Sequence, residues 1–159
     1  MSKYLTNLLK YIKILVKGMN NNMFLTKECD YAIRVVRSLI DFEKKTVRAI
    51  CEYEHIPFSF AYKILKKLEH AGIVLSHRGA LGGYQLAKKP EEITLYKIVS
   101  VIEENLFLNE CLQEGHTCPH NSQGNYCGVH KELERIQGLL ISALNEKTID
   151  RVFNTKNLD

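Results

Sequence analysis

Apolar positions recur at helical spacing and predict a first helix over residues 26–42. Its start is marked by Thr26, because a hydroxyl at this position can accept hydrogen bonds from the first turn. A second helix follows Thr46 and ends near His55. A third helix covers residues 57–72, with a proline at its start and a glycine at its end.

Two short strand-like runs, residues 73–75 and 84–86, follow the third helix, and residues 78–83 between them read Arg-Gly-Ala-Leu-Gly-Gly. Such runs joined by a glycine-rich tip predict a β-hairpin. Two short helices joined by a tight turn and followed by a hairpin are typical of DNA-binding proteins. We therefore predict a mostly α fold: a winged helix-turn-helix with a small β-hairpin wing and a long C-terminal dimerisation helix.

The second half of the chain carries two further helical patterns. A fourth helix is predicted from Thr94 to about residue 105, and a long last helix over residues 128–145. The last helix has a wide apolar stripe made of Val129, Leu133, Ile136, Leu139, Leu140 and Leu144. A winged helix is complete without this stripe, so we expect a homodimer through the last helix.

The pattern divides the chain into four segments. Residues 1–22 form an N-terminal extension, which is a start-site artefact or a short amphipathic helix, and residues 23–92 form the DNA-binding domain. Residues 93–145 hold the cluster-binding loop and the dimerisation helix, and residues 146–159 form a flexible tail. No run of about 18 apolar residues occurs, so we expect a cytoplasmic protein without a membrane partner.

Charge is unevenly distributed along the chain. The formal net charge is +4, and residues 57–90 carry six basic residues against one acidic residue, whereas residues 93–159 carry six against nine. A basic block predicts a surface for a polyanion. We expect the partner to be double-stranded DNA with a pseudo-palindromic operator, because a two-fold dimer reads two half-sites.

The predicted DNA contacts lie on the third helix and the wing. They are Ser59, Tyr62, Lys63, Lys66, Lys67, Arg78, Gly79, Gly82 and Gly83. Tyr62 and Lys63 are expected to reach base edges in the major groove, while Lys66 and Lys67 meet phosphates. Arg78 is expected to enter the minor groove, and the glycines would let the wing backbone approach DNA closely.

The stretch from residue 110 to 130 concentrates three of the five cysteines, Cys111, Cys118 and Cys127, with three histidines. Its glycines and its proline indicate a loop. Thiolates and imidazoles bind zinc and iron without a packed core, so a metal or cluster site is favoured over free or disulfide-linked cysteines. No pair of carboxylates or nucleophile–base set suggests catalysis, so we expect neither catalytic residues nor a small-molecule substrate.

Three stretches resemble the Rrf2 family of bacterial regulators. Residues 23–34, Met-Phe-Leu-Thr-Lys-Glu-Cys-Asp-Tyr-Ala-Ile-Arg, are similar to the family's opening. Residues 78–84, Arg-Gly-Ala-Leu-Gly-Gly-Tyr, resemble its wing signature, and the three-cysteine loop before a long helix resembles its iron–sulfur members. The resemblance runs from residue 23 to about residue 144.

The resemblance implies a homodimeric winged-helix transcription regulator that holds an iron–sulfur cluster, [2Fe–2S] or [4Fe–4S]. We expect the cluster to control its operator affinity, and we expect a repressor rather than an activator. The resemblance also implies Cys111, Cys118 and Cys127 as ligands. The fourth ligand would be His130, as in IscR-like members, or Asp30 of the partner subunit, as in NsrR-like members. The gaps between the cysteines, six and eight residues, are longer than in both groups.

The sensed signal implied by the resemblance is redox state, nitric oxide or cluster supply. The alternative interpretation keeps the winged-helix regulator but places a structural zinc or a thiol-redox site in the loop. A purified zinc protein would be colourless, whereas a cluster absorbs visible light.

Overall fold

The computed structural model describes residues 25–79, 81–103, 106–118, 120 and 127–154. The predicted N-terminal extension, residues 1–22, lies outside the described residues, as do residues 155–159.

The first three helices begin where the sequence predicts. They are α1 (Lys27–Ser38), α2 (Val47–Glu54) and α3 (Phe58–His70). The Thr26 hydroxyl accepts a hydrogen bond from the Cys29 amide, and the Thr46 hydroxyl accepts one from the Ala49 amide. Helix α1 ends at Ser38, earlier than the predicted residue 42, because the backbone leaves the helical conformation at Leu39.

The predicted hairpin is present as β1 (Val74–His77) and β2 (Gly83–Leu86), which pair antiparallel with Val74 opposite Leu86. The chain between α1 and α2 extends this sheet. The Lys45 amide donates to the Tyr84 carbonyl at 2.9 Å, and the Tyr84 amide donates to the Lys45 carbonyl at 2.8 Å. The wing is therefore held both by the pairing of its own two strands and by backbone hydrogen bonds to the segment before α2.

Helix α4 (Leu95–Ile102) completes the core of this unit. Fully buried side chains come from each element, for example Val35, Ile50, Leu65 and Ile98. Burying an aliphatic side chain of this size contributes about 1.5–3 kcal/mol. The fourth helix is shorter than predicted, because Glu103 has an extended backbone and its carboxylate accepts a hydrogen bond from the Thr26 hydroxyl.

The last long helix, α5 (Gly128–Glu146), matches the predicted range. The prediction of a flexible tail does not hold for the residues after it. Residues Ile149–Phe153 form a short helix, α6, whose Ile149 is fully buried. The Ile149 amide donates to the Ile93 carbonyl at 2.8 Å, so α6 returns to the start of α4. The sequence pattern missed this distant contact.

The described architecture is mostly helical with one two-stranded antiparallel sheet, and it confirms the predicted fold class. Within the described residues, no helix has the length and apolar content that a membrane span requires.

Candidate nucleic-acid interface and cysteine segment

Helix α3 presents two different faces. Ala61, Ile64, Leu65 and Leu68 are buried. The other face carries exposed side chains, including Tyr62, of which 49% is exposed. An open groove of about 740 Å³ runs beside this face and is lined by Tyr62, Lys63, Lys66, Lys67, His70, Ala71 and Val101. The exposed helix face and the groove together form a basic surface of the size and shape that a polyanion can contact.

Each lysine on this surface has an acidic partner. The Lys63 ammonium lies 2.9 Å from the Glu28 carboxylate, and the Lys67 ammonium lies 3.6 Å from it. Lys66 pairs with Glu69 at 3.0 Å. The hydrogen bond from Lys63 lowers the pKa of Glu28. Sequence reasoning predicted the lysines but missed Glu28, because it lies on α1.

The wing glycines have a structural reason for their identity. A Cβ atom on Gly82 would lie 2.5 Å from the His77 carbonyl oxygen, and one on Gly83 would lie 2.6 Å from the Lys45 carbonyl oxygen. Gly82 is therefore required by the hairpin itself, and Gly83 by the close approach of the segment before α2. Gly79 has a φ of 102°, which favours glycine. The wing also exposes Arg78 to solvent.

The wing is tied to α3 through Glu69. The Ser76 hydroxyl on β1 donates to the Glu69 carboxylate, which also accepts from Lys66 at 3.0 Å. These two hydrogen bonds, from Ser76 first and then Lys66, lower the pKa of Glu69. The predicted helix contacts and the predicted wing contacts are thus parts of one connected surface.

The segment between α4 and α5, residues 103–127, carries the three cysteines and is called the cysteine segment below; a buried glutamine attaches its first part to α5. The Leu108 amide donates to the Gln137 Oε1 atom at 2.9 Å, and the Gln137 Nε2 atom donates to the Leu106 carbonyl at 2.9 Å. A one-turn helix, Glu110–Leu112, follows and packs against α5. Cys111 is in that turn. Gln137 was missed by the sequence analysis, because a lone glutamine in an amphipathic helix gives no signal.

The candidate metal ligands occupy different settings. Cys111, Cys118 and Cys127 are all half-buried. Asp30 is paired with Arg34 at 2.9 Å. The His130 Nδ1 atom is buried and has no hydrogen-bond partner. Within the residues that the structure describes, no three histidine, cysteine or acidic side chains are close enough to hold one metal ion.

Helix α5 fully buries none of its apolar side chains, and about half of them are exposed. Val129 is 68% exposed and Leu139 is 57% exposed, whereas Gln137 is the buried residue of this helix. An apolar stripe of this kind on a long helix is typical of an association surface.

The fold and the basic surface define a regulator of the winged-helix class, and comparisons with known proteins place it more closely. The model of the Rrf2 family, described as "Iron-dependent Transcriptional regulator", matches residues 25–155. A putative HTH-type transcriptional regulator of Synechocystis sp. is 39% identical over 87 residues, which cover 53% of this chain and 59% of that protein. NsrR of Shouchella clausii is 30% identical over 141 residues, which cover 86% of this chain and 93% of that protein.

Among solved structures, T. potens IscR matches with a TM-score of 0.64 at 19% identity, covering 82% of this chain and 86% of that chain. The family match over residues 25–155 shows that the chain itself belongs to the Rrf2 family. The resemblance read from the sequence is thereby confirmed, as is the expectation of a DNA-binding transcriptional regulator that is not an enzyme.

Proposed function

We propose that this protein is a homodimeric repressor that binds a pseudo-palindromic operator and whose operator affinity depends on an iron–sulfur cluster. The observation that carries the DNA-binding part is the lysine-bearing outer face of α3, which the hydrogen bonds of Ser76 and Lys66 to Glu69 connect to the wing. In this proposal Tyr62 and Lys63 read base edges from the exposed face of α3, and Lys66 and Lys67 contact phosphates. Arg78 enters the minor groove.

The cysteine segment supports the cluster part through its donor chemistry. Three half-buried thiols offer the soft ligands that iron–sulfur clusters require. We propose His130 as the fourth ligand, since its buried Nδ1 atom has no partner, whereas Asp30 already pairs with Arg34. Binding would have to draw these side chains together. The cluster would supply chemistry that responds to redox state, nitric oxide or cluster supply.

The position of the segment supports a regulatory role. It begins after α4, whose last turn carries the Ile102 carbonyl that accepts from Lys67 of α3 at 3.1 Å. It ends at α5, the proposed dimerisation helix. A rearrangement of the segment would therefore shift both Lys67, which we propose to contact DNA, and the proposed dimerisation helix α5. A coupling of about 1–3 kcal/mol would change operator affinity by about 5- to 150-fold.

The cluster is tested by the visible spectrum of protein purified without oxygen. We expect a brown protein whose visible absorption is lost in Cys118→Ala and kept in Cys51→Ala, which removes a half-buried cysteine outside the segment. His130→Ala should alter the spectrum or lifetime of the cluster more than Asp30→Ala. A colourless protein with one bound zinc would instead support a structural zinc site and end the sensor proposal.

DNA binding is tested with a duplex enriched from a random pool by the cluster-bound protein. Lys66→Ala should weaken binding to all sequences about equally and flatten the salt slope by about one unit, while the exposed Lys147→Ala should not. Arg78→Ala should weaken the enriched duplex more than a mixed-sequence one. Equal affinities of apo and cluster-bound protein for the enriched duplex would contradict a sensing role.

A further inference from the structure

Glu28 lies in the first turn of α1 but faces the DNA-reading helix. Its carboxylate accepts from Lys63 at 2.9 Å and lies 3.6 Å from the Lys67 ammonium. The two lysines are one helical turn apart on α3, so a single acid from another helix neutralises neighbouring cations on that surface. The Lys67 ammonium is also fixed by the Ile102 carbonyl at 3.1 Å.

This arrangement contributes little to stability. The Lys63 side chain is 60% exposed and that of Glu28 is 25% exposed, so solvent screens their attraction. Exposed ion pairs of this kind contribute little to stability. The Glu28 carboxylate lies where it would oppose a phosphate that approaches Lys63.

We propose that Glu28 is a specificity-determining residue, which disfavours the use of Lys63 as a sequence-independent phosphate contact. The inference rests on the proposed contact of Lys63 with base edges. A phosphate carries a full negative charge and is repelled by the carboxylate, whereas the edge of a base is neutral and meets little repulsion. Lys63 keeps donor hydrogens for a base acceptor while it is paired, because an ammonium has three.

Specificity in binding often depends on such a repulsive element, which costs the wrong complex more than the right one. Each phosphate contact makes the slope of log affinity against log salt concentration more negative by about 0.9. One new contact therefore strengthens binding on the order of tenfold at 0.1 M salt. Removing the charge of Glu28 should therefore strengthen binding mainly to DNA that offers phosphates alone.

The test compares Glu28→Gln with the wild type on a mixed-sequence duplex and on the enriched duplex, across a salt series. We expect about tenfold tighter binding to mixed-sequence DNA, a salt slope steeper by about one unit because Lys63 is released, and a smaller gain on the enriched duplex. The ratio of the two affinities should fall. Glu146→Gln, which removes an exposed acid at the end of α5, is the matched control.

A double variant distinguishes the release of Lys63 from the general effect of removing one negative charge. In the double variant Glu28→Gln with Lys63→Gln, the gain on mixed-sequence DNA should largely disappear. An equal gain on both duplexes, or a gain no larger than that of Glu146→Gln, would overturn the inference. If the wild type binds neither duplex, the proposed function fails instead. Thermal unfolding of each variant checks that the fold is retained.

Discussion

The unit formed by α1–α4 and the wing differs from α5 in how its apolar residues are used. In the first, aliphatic side chains from every helix are fully buried in one core. Helix α5 has 19 residues and buries a single residue, a glutamine. The core of the first region is complete within one chain, whereas α5 leaves apolar surface for a further contact. The buried core that stabilises the fold and the surface that we propose for dimerisation thus lie in different parts of the molecule.

The largest expected effect tests the first side of this comparison. Leu65 is fully buried, and Leu65→Ala should lower the free energy of unfolding by about 3–5 kcal/mol, because it leaves a cavity in the core. Leu139→Ala, at a 57% exposed position, should change it by less than about 0.5 kcal/mol in dilute protein. Chemical denaturation measures both. Equal losses would mean that α5 is part of the same core.

For α5, the property to measure is association between two copies of the protein. Leu139→Asp would place a charge in the proposed dimer interface and should weaken association by about 3 kcal/mol, or about 100-fold. The neighbouring Gly138→Asp is the control, since the site of its Cβ is open. Light scattering over a concentration series gives the dissociation constants. A wild-type protein that is monomeric throughout and still binds its operator would contradict the dimer.

The third prediction concerns Gln137, the buried residue of α5, whose side chain holds the helix to Leu106 and Leu108. Gln137→Leu would leave the Leu106 carbonyl and the Leu108 amide without partners, at a cost of about 1–3 kcal/mol. Hydrogen exchange at the Leu108 amide should become at least about tenfold faster. Ser142→Leu, at an exposed position of α5, should leave that exchange unchanged.

The smallest expected effect concerns an exposed ion pair on α2. Arg48 and Glu52 lie 2.9 Å apart with 85% and 67% of their side chains exposed. Arg48→Ala should leave the midpoint of chemical denaturation unchanged within the error of the measurement, because solvent screens an exposed ion pair. A clear fall in that midpoint would show that surface charge contributes to the stability of this unit.

Local signals in the sequence predicted the elements well. Thr26, Thr46 and Thr94 were each expected to start a helix, and each hydroxyl accepts from the amide three residues later. The glycine-rich hairpin and the long last helix were also predicted. These features depend on residues near one another in the chain, so composition and spacing carry the information.

Contacts between distant segments could not be read in this way. Glu103 shortens the fourth helix through a bond to Thr26, and Glu28 pairs with Lys63 across 35 positions of sequence. The site was predicted as a set of basic and cysteine residues, but their partners were not. Acidic residues in a first helical turn have a local explanation in the helix dipole, which hides any second role.

The return of α6 to the start of α4 has a consequence for the entropy of folding. Pairing Thr94 with Thr148 closes a loop of roughly 50 residues, which costs about 3.5 kcal/mol of chain entropy. Burying Ile149 recovers only about 1.5–3 kcal/mol. The burial of Ile149 alone does not clearly offset this cost, so the docking of α6 also depends on other contacts, such as the packing of Phe153 against the core. Ile149 then acts as an anchor for the helix that we propose to form the dimer.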